Sequence, residues 1–287
     1  MRNSLIIILI LFTQFNIAQN PYPQDYFRSP LDIPLVLSGT FAELRSNHFH
    51  SGLDIKTKQQ EGLKVFTAAK GYVSRIKISH WGYGKALYIT HPNGYTTVYA
   101  HLKKFSPRIE AFVKKMQYKK ETFEIELFPT IKQLQIETDE IIAFSGNTGG
   151  SSAPHLHFEI RDKNERPINP LLFGVDIKDT KRPTILGVFA YPITKESHVN
   201  HTTEKIKLRL IPLKNGNYTV EKLSAFDKIG FGIITHDLLD MAVNINGVSN
   251  IQAFFNGNKN FEIDFKRFSF SETKHLNRFI DFEYYKT

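Results

Sequence analysis

Polar and apolar residues alternate one for one through much of the stretch from about Leu35 to Ile160, most cleanly in Pro154-His155-Leu156-His157-Phe158-Glu159-Ile160-Arg161. A period of two is the signature of a strand, whose successive side chains point to opposite faces. In this segment one face carries His155, His157, Glu159 and Arg161 and the other buries Leu156, Phe158 and Ile160. Similar short runs recur between clusters of Gly, Pro and Asn, which predicts an antiparallel β domain. Gly71 to Ser79, Gly84 to Thr90 and Gly94 to Leu102 are strand candidates, with Tyr72, Ser74 and Ile76 alternating with Val73, Arg75 and Lys77 in the first. Pro92-Asn93-Gly94 is a turn that should pair the last two as a hairpin. Between Pro107 and Lys120 the period lengthens, with Ile109, Phe112, Val113 and Met116 at helical spacing, so a short amphipathic helix is inserted into the sheet.

A chain of 287 residues, 41% of them hydrophobic, is long enough for two compact domains. The segment from Arg166 to Pro183, rich in Pro, Asp and Lys, marks the boundary, giving a first domain over 19–178 and a second over 179–287. The second offers alternating segments and Asn-Gly pairs at Asn215, Asn246 and Asn256, each read as a hairpin, and is expected to be β-rich and sandwich-like. It ends on Phe282-Glu283-Tyr284-Tyr285 with no obvious closing strand, so it is expected to stop short of a complete domain.

Met1 to Ala18 has a basic start at Arg2 and an apolar run from Leu5 to Phe12, the pattern of a secretory signal peptide. That run is shorter than the roughly 20 residues that cross a bilayer, so no stable membrane span is expected once the signal is removed. Such a chain is secreted or periplasmic, within the cell envelope. With no cysteine it has neither disulfides nor a catalytic thiol. Its net charge of +9 suits an acidic partner such as peptidoglycan or lipid head groups, or simply keeps the surface soluble, and export argues against nucleic acid.

The chemistry rests on histidines. On a strand, His155 and His157 point the same way with side chains starting about 6 to 7 Å apart, so one can bind a metal while the other reaches water or substrate. Alone, the pair also reads as two exposed histidines on an amphipathic strand. His50-Ser51-Gly52-Leu53-Asp54 places an imidazole and a carboxylate four positions apart, donors that zinc accepts. On a regular strand these would lie about 13 Å apart, so a shared ion needs a bend, which Gly52 permits. In Val98-Tyr99-Ala100-His101-Leu102, alternation groups His101 with Thr97 and Tyr99 on one face, from which it can reach the same cleft. His48 imitates the His-x-His pattern with His50, and Glu159 shares the polar face with His157, where it can orient the imidazole or merely form a salt bridge.

Together these pieces resemble the lysostaphin-type, or LytM-like, zinc metallopeptidases, a family of cell-wall endopeptidases. The residues that carry the likeness are Phe49-His50-Ser51-Gly52-Leu53-Asp54-Ile55, Gly71-Tyr72-Val73, Tyr99-Ala100-His101-Leu102, Ser145-Gly146-Asn147-Thr148-Gly149 and Pro154-His155-Leu156-His157-Phe158-Glu159, within roughly Phe41 to Pro170. The resemblance implies an antiparallel β domain of the duplicated hybrid motif type with a groove over the sheet. It implies one zinc ion held by His50, Asp54 and His157, with His155 and His101 flanking the open coordination position as catalytic residues. It further implies hydrolysis of peptide bonds in peptidoglycan stem or cross-link peptides by a zinc-activated water. Some relatives of this family have lost ligands and act as scaffolds that activate other wall hydrolases, which is the alternative function. The stretch from Lys103 to Glu140 is longer than the usual connection and bears on groove shape.

Overall fold

The computed structural model describes residues 20–45 and 48–285, and the signal segment 1–18 lies outside the described residues. In chain order the first strands are β1 (Leu37–Gly39), β2 (Leu44–Arg45), β3 (His48–Phe49), β4 (Leu53–Lys56), β5 (Lys64–Phe66), β6 (Gly71–Ile78), β7 (Lys85–Thr90), β8 (Thr96–Ala100) and β9 (Lys104–Phe105). Helix α1 (Pro107–Lys120) follows, then β10 (Ile125–Leu127), β11 (Gln135–Ile136), β12 (Ile141–Phe144), β13 (His155–Arg161) and β14 (Pro167–Ile168). All pairings among them are antiparallel.

The main sheet has nine strands along the path β1-β4-β13-β8-β7-β6-β10, with β11 also pairing β6 and β14 also pairing β13. A smaller sheet, β5-β12-β9, is separate from it. One face of the large sheet, with Leu53, Ile55, Leu87, Ile89, Tyr99, Leu156, Phe158 and Ile160, joins Val65, Phe105, Ile142 and Ala143 of the small sheet and Ile109 and Val113 of α1 in a single apolar core. The opposite face carries a lesser cluster of Ala86, Tyr88, Val98 and Ala100 under Tyr83. Because β8 is covered on both faces, all its residues are buried and its sequence, Thr-Thr-Val-Tyr-Ala, carries no charge.

The expected hairpin forms across Pro92-Asn93-Gly94, with Leu87 opposite Tyr99 and the Asn93 side chain accepting from the Tyr95 N–H. The expected helix spans Pro107–Lys120, its first turn tied by Glu110, which accepts from the Phe105 N–H at 3.0 Å. In β6 the simple alternation fails. Val73 and Ile76 both enter the core although three positions apart, because the register with β7 shifts between Val73 and Arg75 and the extra residue, Ser74, is absorbed as a bulge.

The residues after 178 are β-rich, as expected. β15 (Thr184–Pro192), β16 (His198–Val199), β17 (Ile206–Leu208), β18 (Leu210–Pro212), β19 (Tyr218–Val220), β20 (Ala225–Phe226), β21 (Ile229–His236), β22 (Asn250–Phe255) and β23 (Asn258–Asp264) form a three-stranded sheet, β17-β15-β21, and three two-stranded ribbons. Asn215-Gly216 turns β18 into β19, and Asn256-Gly257, both at positive φ, turns β22 into β23. Asn246-Gly247 does not make a hairpin of strands. Asn246 is itself a bridge partner of Asp237, each N–H donating to the other's carbonyl at 2.9 Å, which holds it in a ladder and not at a turn. Leu239 and Ala242 reach the main core, and Phe265 and Phe268 pack against it.

Candidate metal centre

Asp54 and His157 are direct partners in the β4–β13 ladder, so the sheet itself sets them side by side. His50 comes just before β4. The bend that brings it back occurs at Gly52, and there a Cβ would fall 2.3 Å from the Phe158 carbonyl oxygen. Glycine is needed because β13 passes that close, a stronger reason than backbone freedom alone.

The three atoms nearest one another are His50 Nε2, His157 Nδ1 and Asp54 Oδ1, separated by 3.0, 3.1 and 2.9 Å. Each ring is pinned from its far side. His50 Nδ1 donates to the Thr40 carbonyl at 2.7 Å, and His157 Nε2 donates to Glu159 Oε1 at 2.8 Å. Both histidines therefore turn their other nitrogen toward the Asp54 carboxylate. Two imidazole nitrogens and one carboxylate oxygen, at spacings near the roughly 3.3 Å between donors around tetrahedral zinc, fit one divalent ion. This is the one group of such composition among the described residues.

The surroundings tune these groups. Burial opposes ionisation of Asp54, but hydrogen bonds from His155, His157 and His50 outweigh it and hold its pKa well below the usual carboxylate range. Its other oxygen, Oδ2, takes an ion pair from Arg45 at 3.1 Å, and Arg45 also reaches Glu43 at 2.9 Å. Burial lowers the His50 pKa, which favours the neutral ligand form. Burial would also lower that of His157, yet the Asp54 and Glu159 carboxylates hold it up at about 9. Glu159 is fully buried, and Tyr83, Ser51 (2.8 Å) and Arg161 (2.6 Å) all donate to it. Burial alone would protonate Glu159, but Arg161 and His157 keep its pKa below the usual range.

His155 stands on the same face, its Nδ1 donating to the Ala153 carbonyl at 2.8 Å and its Nε2 3.4 Å from Asp54 Oδ1. The His101 ring lies 4.7 Å from that of His155 and donates from Nδ1 to the Thr148 carbonyl at 2.8 Å. Burial, reinforced by the charge of His157, pushes its pKa down to about 4. His101 does not reach the site by alternation. Tyr99 points into the core, whereas His101 follows the end of β8 at a φ of 57°, and this left-handed residue sends its ring to the groove and lets Leu102 join Tyr99 in the core. His48, His50, Asp54, Tyr83, His101, His155 and His157 all line one open groove of about 1050 Å³. Arg45, Ser51 and Tyr83 were not singled out in the sequence, because they lie on short turns and hairpins with no periodicity to fix where they point.

Fold and site together define an antiparallel β protein with a two-histidine, one-aspartate group that could hold a metal ion and two further histidines beside it in an open groove. Residues 48–118 and 129–170 match the model of Peptidase family M23. The match is interrupted at 119–128, inside the long connection noted in the sequence. The chain is 34% identical over 128 residues to the DD-carboxypeptidase/endopeptidase Mpg of Neisseria meningitidis serogroup B, a match covering 45% of this chain and 23% of that protein's length. Among solved structures it is similar to the catalytic domain of the prophage-encoded M23 protein EnpA from Enterococcus faecalis, with a TM-score of 0.37, 20% identity and coverage of 53% and 97%. The catalytic domain of lysostaphin from Staphylococcus simulans gives a TM-score of 0.34, 20% identity and coverage of 47% and 87%.

Proposed function

We propose that the protein is an exported zinc-dependent endopeptidase that hydrolyses peptide bonds in the stem or cross-link peptides of peptidoglycan. The observation that carries this reading is the convergence of His50 Nε2, His157 Nδ1 and Asp54 Oδ1 beneath a groove that also presents His101 and His155. The family match, and a relative whose name is DD-carboxypeptidase/endopeptidase, support it.

His50, Asp54 and His157 would hold the ion, with Thr40, Arg45 and Glu159 fixing how they present their donor atoms. A bound zinc ion supplies Lewis acidity, which polarises a carbonyl and lowers the pKa of water to about 7. His155 and His101 manage the protons. Each has Nδ1 tied to a carbonyl, so each works through Nε2. One takes a proton from the attacking water while the other stabilises the oxyanion or returns a proton to the leaving amine. The +9 charge favours an acidic polymer such as the wall. Among the described residues no helix is long and apolar enough to cross a membrane.

Purified peptidoglycan digested with the protein and resolved by mass spectrometry is expected to release peptide fragments. His157→Ala, or a chelator, should abolish that release. Cleavage that persists in both controls refutes the zinc assignment. A protein that purifies without zinc and cuts nothing is a wall-binding scaffold instead.

A further inference from the structure

The segment Phe265-Lys266-Arg267-Phe268-Ser269-Phe270 lies well beyond residue 170, where the family match ends, yet it is fastened to the strands of the metal site. The Asn169 N–H donates to the Lys266 carbonyl at 2.8 Å, Arg267 forms a bridge with Ile168, and the Phe268 N–H donates to the Pro167 carbonyl at 3.3 Å. The rings of Phe265 and Phe268 lie 5.3 and 5.6 Å from that of Phe49, the residue before His50. The Thr273 hydroxyl accepts from the Phe49 N–H at 2.7 Å.

So anchored at both ends, the segment leaves Phe270 over the groove. Its ring sits 4.8 Å from the Arg161 guanidinium carbon, remains 45% exposed and lines the same cavity as the candidate ligands. Arg161 does not need this ring to stay in place. It pairs with Glu159 at 2.6 Å and Glu165 at 3.2 Å and has the Tyr88 ring 5.4 Å away. A phenyl ring held by its neighbours in the wall of a groove that also presents Phe49, Tyr83 and Pro154, and not required by the cation beneath it, is placed to meet whatever fills the groove.

We propose that Phe270 is a specificity-determining residue of the peptidase groove, contributed by the region after the family-matched domain, and that it takes an apolar side chain of the substrate peptide. This rests on the peptidase reading above. The test compares the zinc-loaded full chain with its Phe270→Ala and Phe270→Leu variants on soluble cross-linked muropeptides. Phe270→Ala is expected to raise KM about tenfold while kcat stays within twofold and zinc content is unchanged, and Phe270→Leu to recover most of the loss. Binding of the same muropeptides to the metal-free protein, followed by calorimetry, should weaken by a similar factor. An unchanged KM, or a fall in kcat accompanied by zinc loss, overturns the proposal, because the ring would then be idle or would act through Arg161. Wild-type protein that neither binds nor cuts the muropeptides defeats the peptidase reading itself, a result separable from any difference between variants.

Discussion

A carboxylate with no accessible surface keeps its charge only if donors surround it, and Glu159 has four, Ser51, Tyr83 and His157 on Oε1 and Arg161 on Oε2. The same contacts make it the group that orients His157. Glu159→Gln is expected to weaken zinc binding about 10- to 100-fold, measured by chelator competition, because the neutral amide no longer raises the basicity of the imidazole. His157 itself was legible from sequence, since the alternation of its strand fixes its face without reference to anything distant. Glu159 was legible only as a candidate: the pattern gave its face but not its burial or its four donors. His101 was found for an incomplete reason. Alternation put it with Tyr99, and what delivers it to the groove is a left-handed backbone that no residue-type signal announces.

The element that matters most is the β4–β13 pair, since its register, Asp54 opposite His157, decides whether two of the three donors meet. A slip of one residue would turn one of them to the core face. Gly52 guards that register at the point where β13 approaches most closely. Gly52→Ala is expected to cost about 1–3 kcal/mol, seen as a lowered melting temperature together with reduced zinc occupancy, because the new methyl meets the Phe158 carbonyl and pushes the strands apart. Elements with a local signal were read well from sequence: the Asn93-Gly94 hairpin, the helix from Pro107 and two of the three Asn-Gly turns. Ser74 and Asn246 were not, because a bulge and a bridge are both imposed by the partner strand, and the residues concerned look locally like ordinary strand and turn.

At the scale of the molecule, stability gathers where distant segments converge, and His91 is one such point. Its Nδ1 faces the Lys70 carbonyl at 2.9 Å and its Nε2 the Thr97 hydroxyl at 2.8 Å, with the rings of Tyr26 and Phe27 against it. Burial lowers its pKa from 6.5 to about 4. An unfolded chain therefore binds this proton while the folded one does not, so the contribution of His91 is complete above about pH 6.5 and is lost as pH falls toward 4, by roughly 3 kcal/mol. Denaturant titrations from pH 7 to 4 should show a shallower slope for His91→Gln than for wild type. The proposed division near residue 178 follows composition along the chain, and some contacts cross it: Leu239 and Ala242 sit in the main core and Phe268 lies on Phe41. Composition could not show this, since it records what a segment is made of and not where it docks. The long connection has a further consequence. β6 would otherwise offer a row of unpaired amides and carbonyls, a template on which a second chain could build. The inserted residues lay β10 and β11 along it, leaving only a three-residue and a two-residue strand outermost, and Glu126 of β10 pairs with Arg75. What lengthens the loop thus also shields this edge of the sheet from pairing with its own copies.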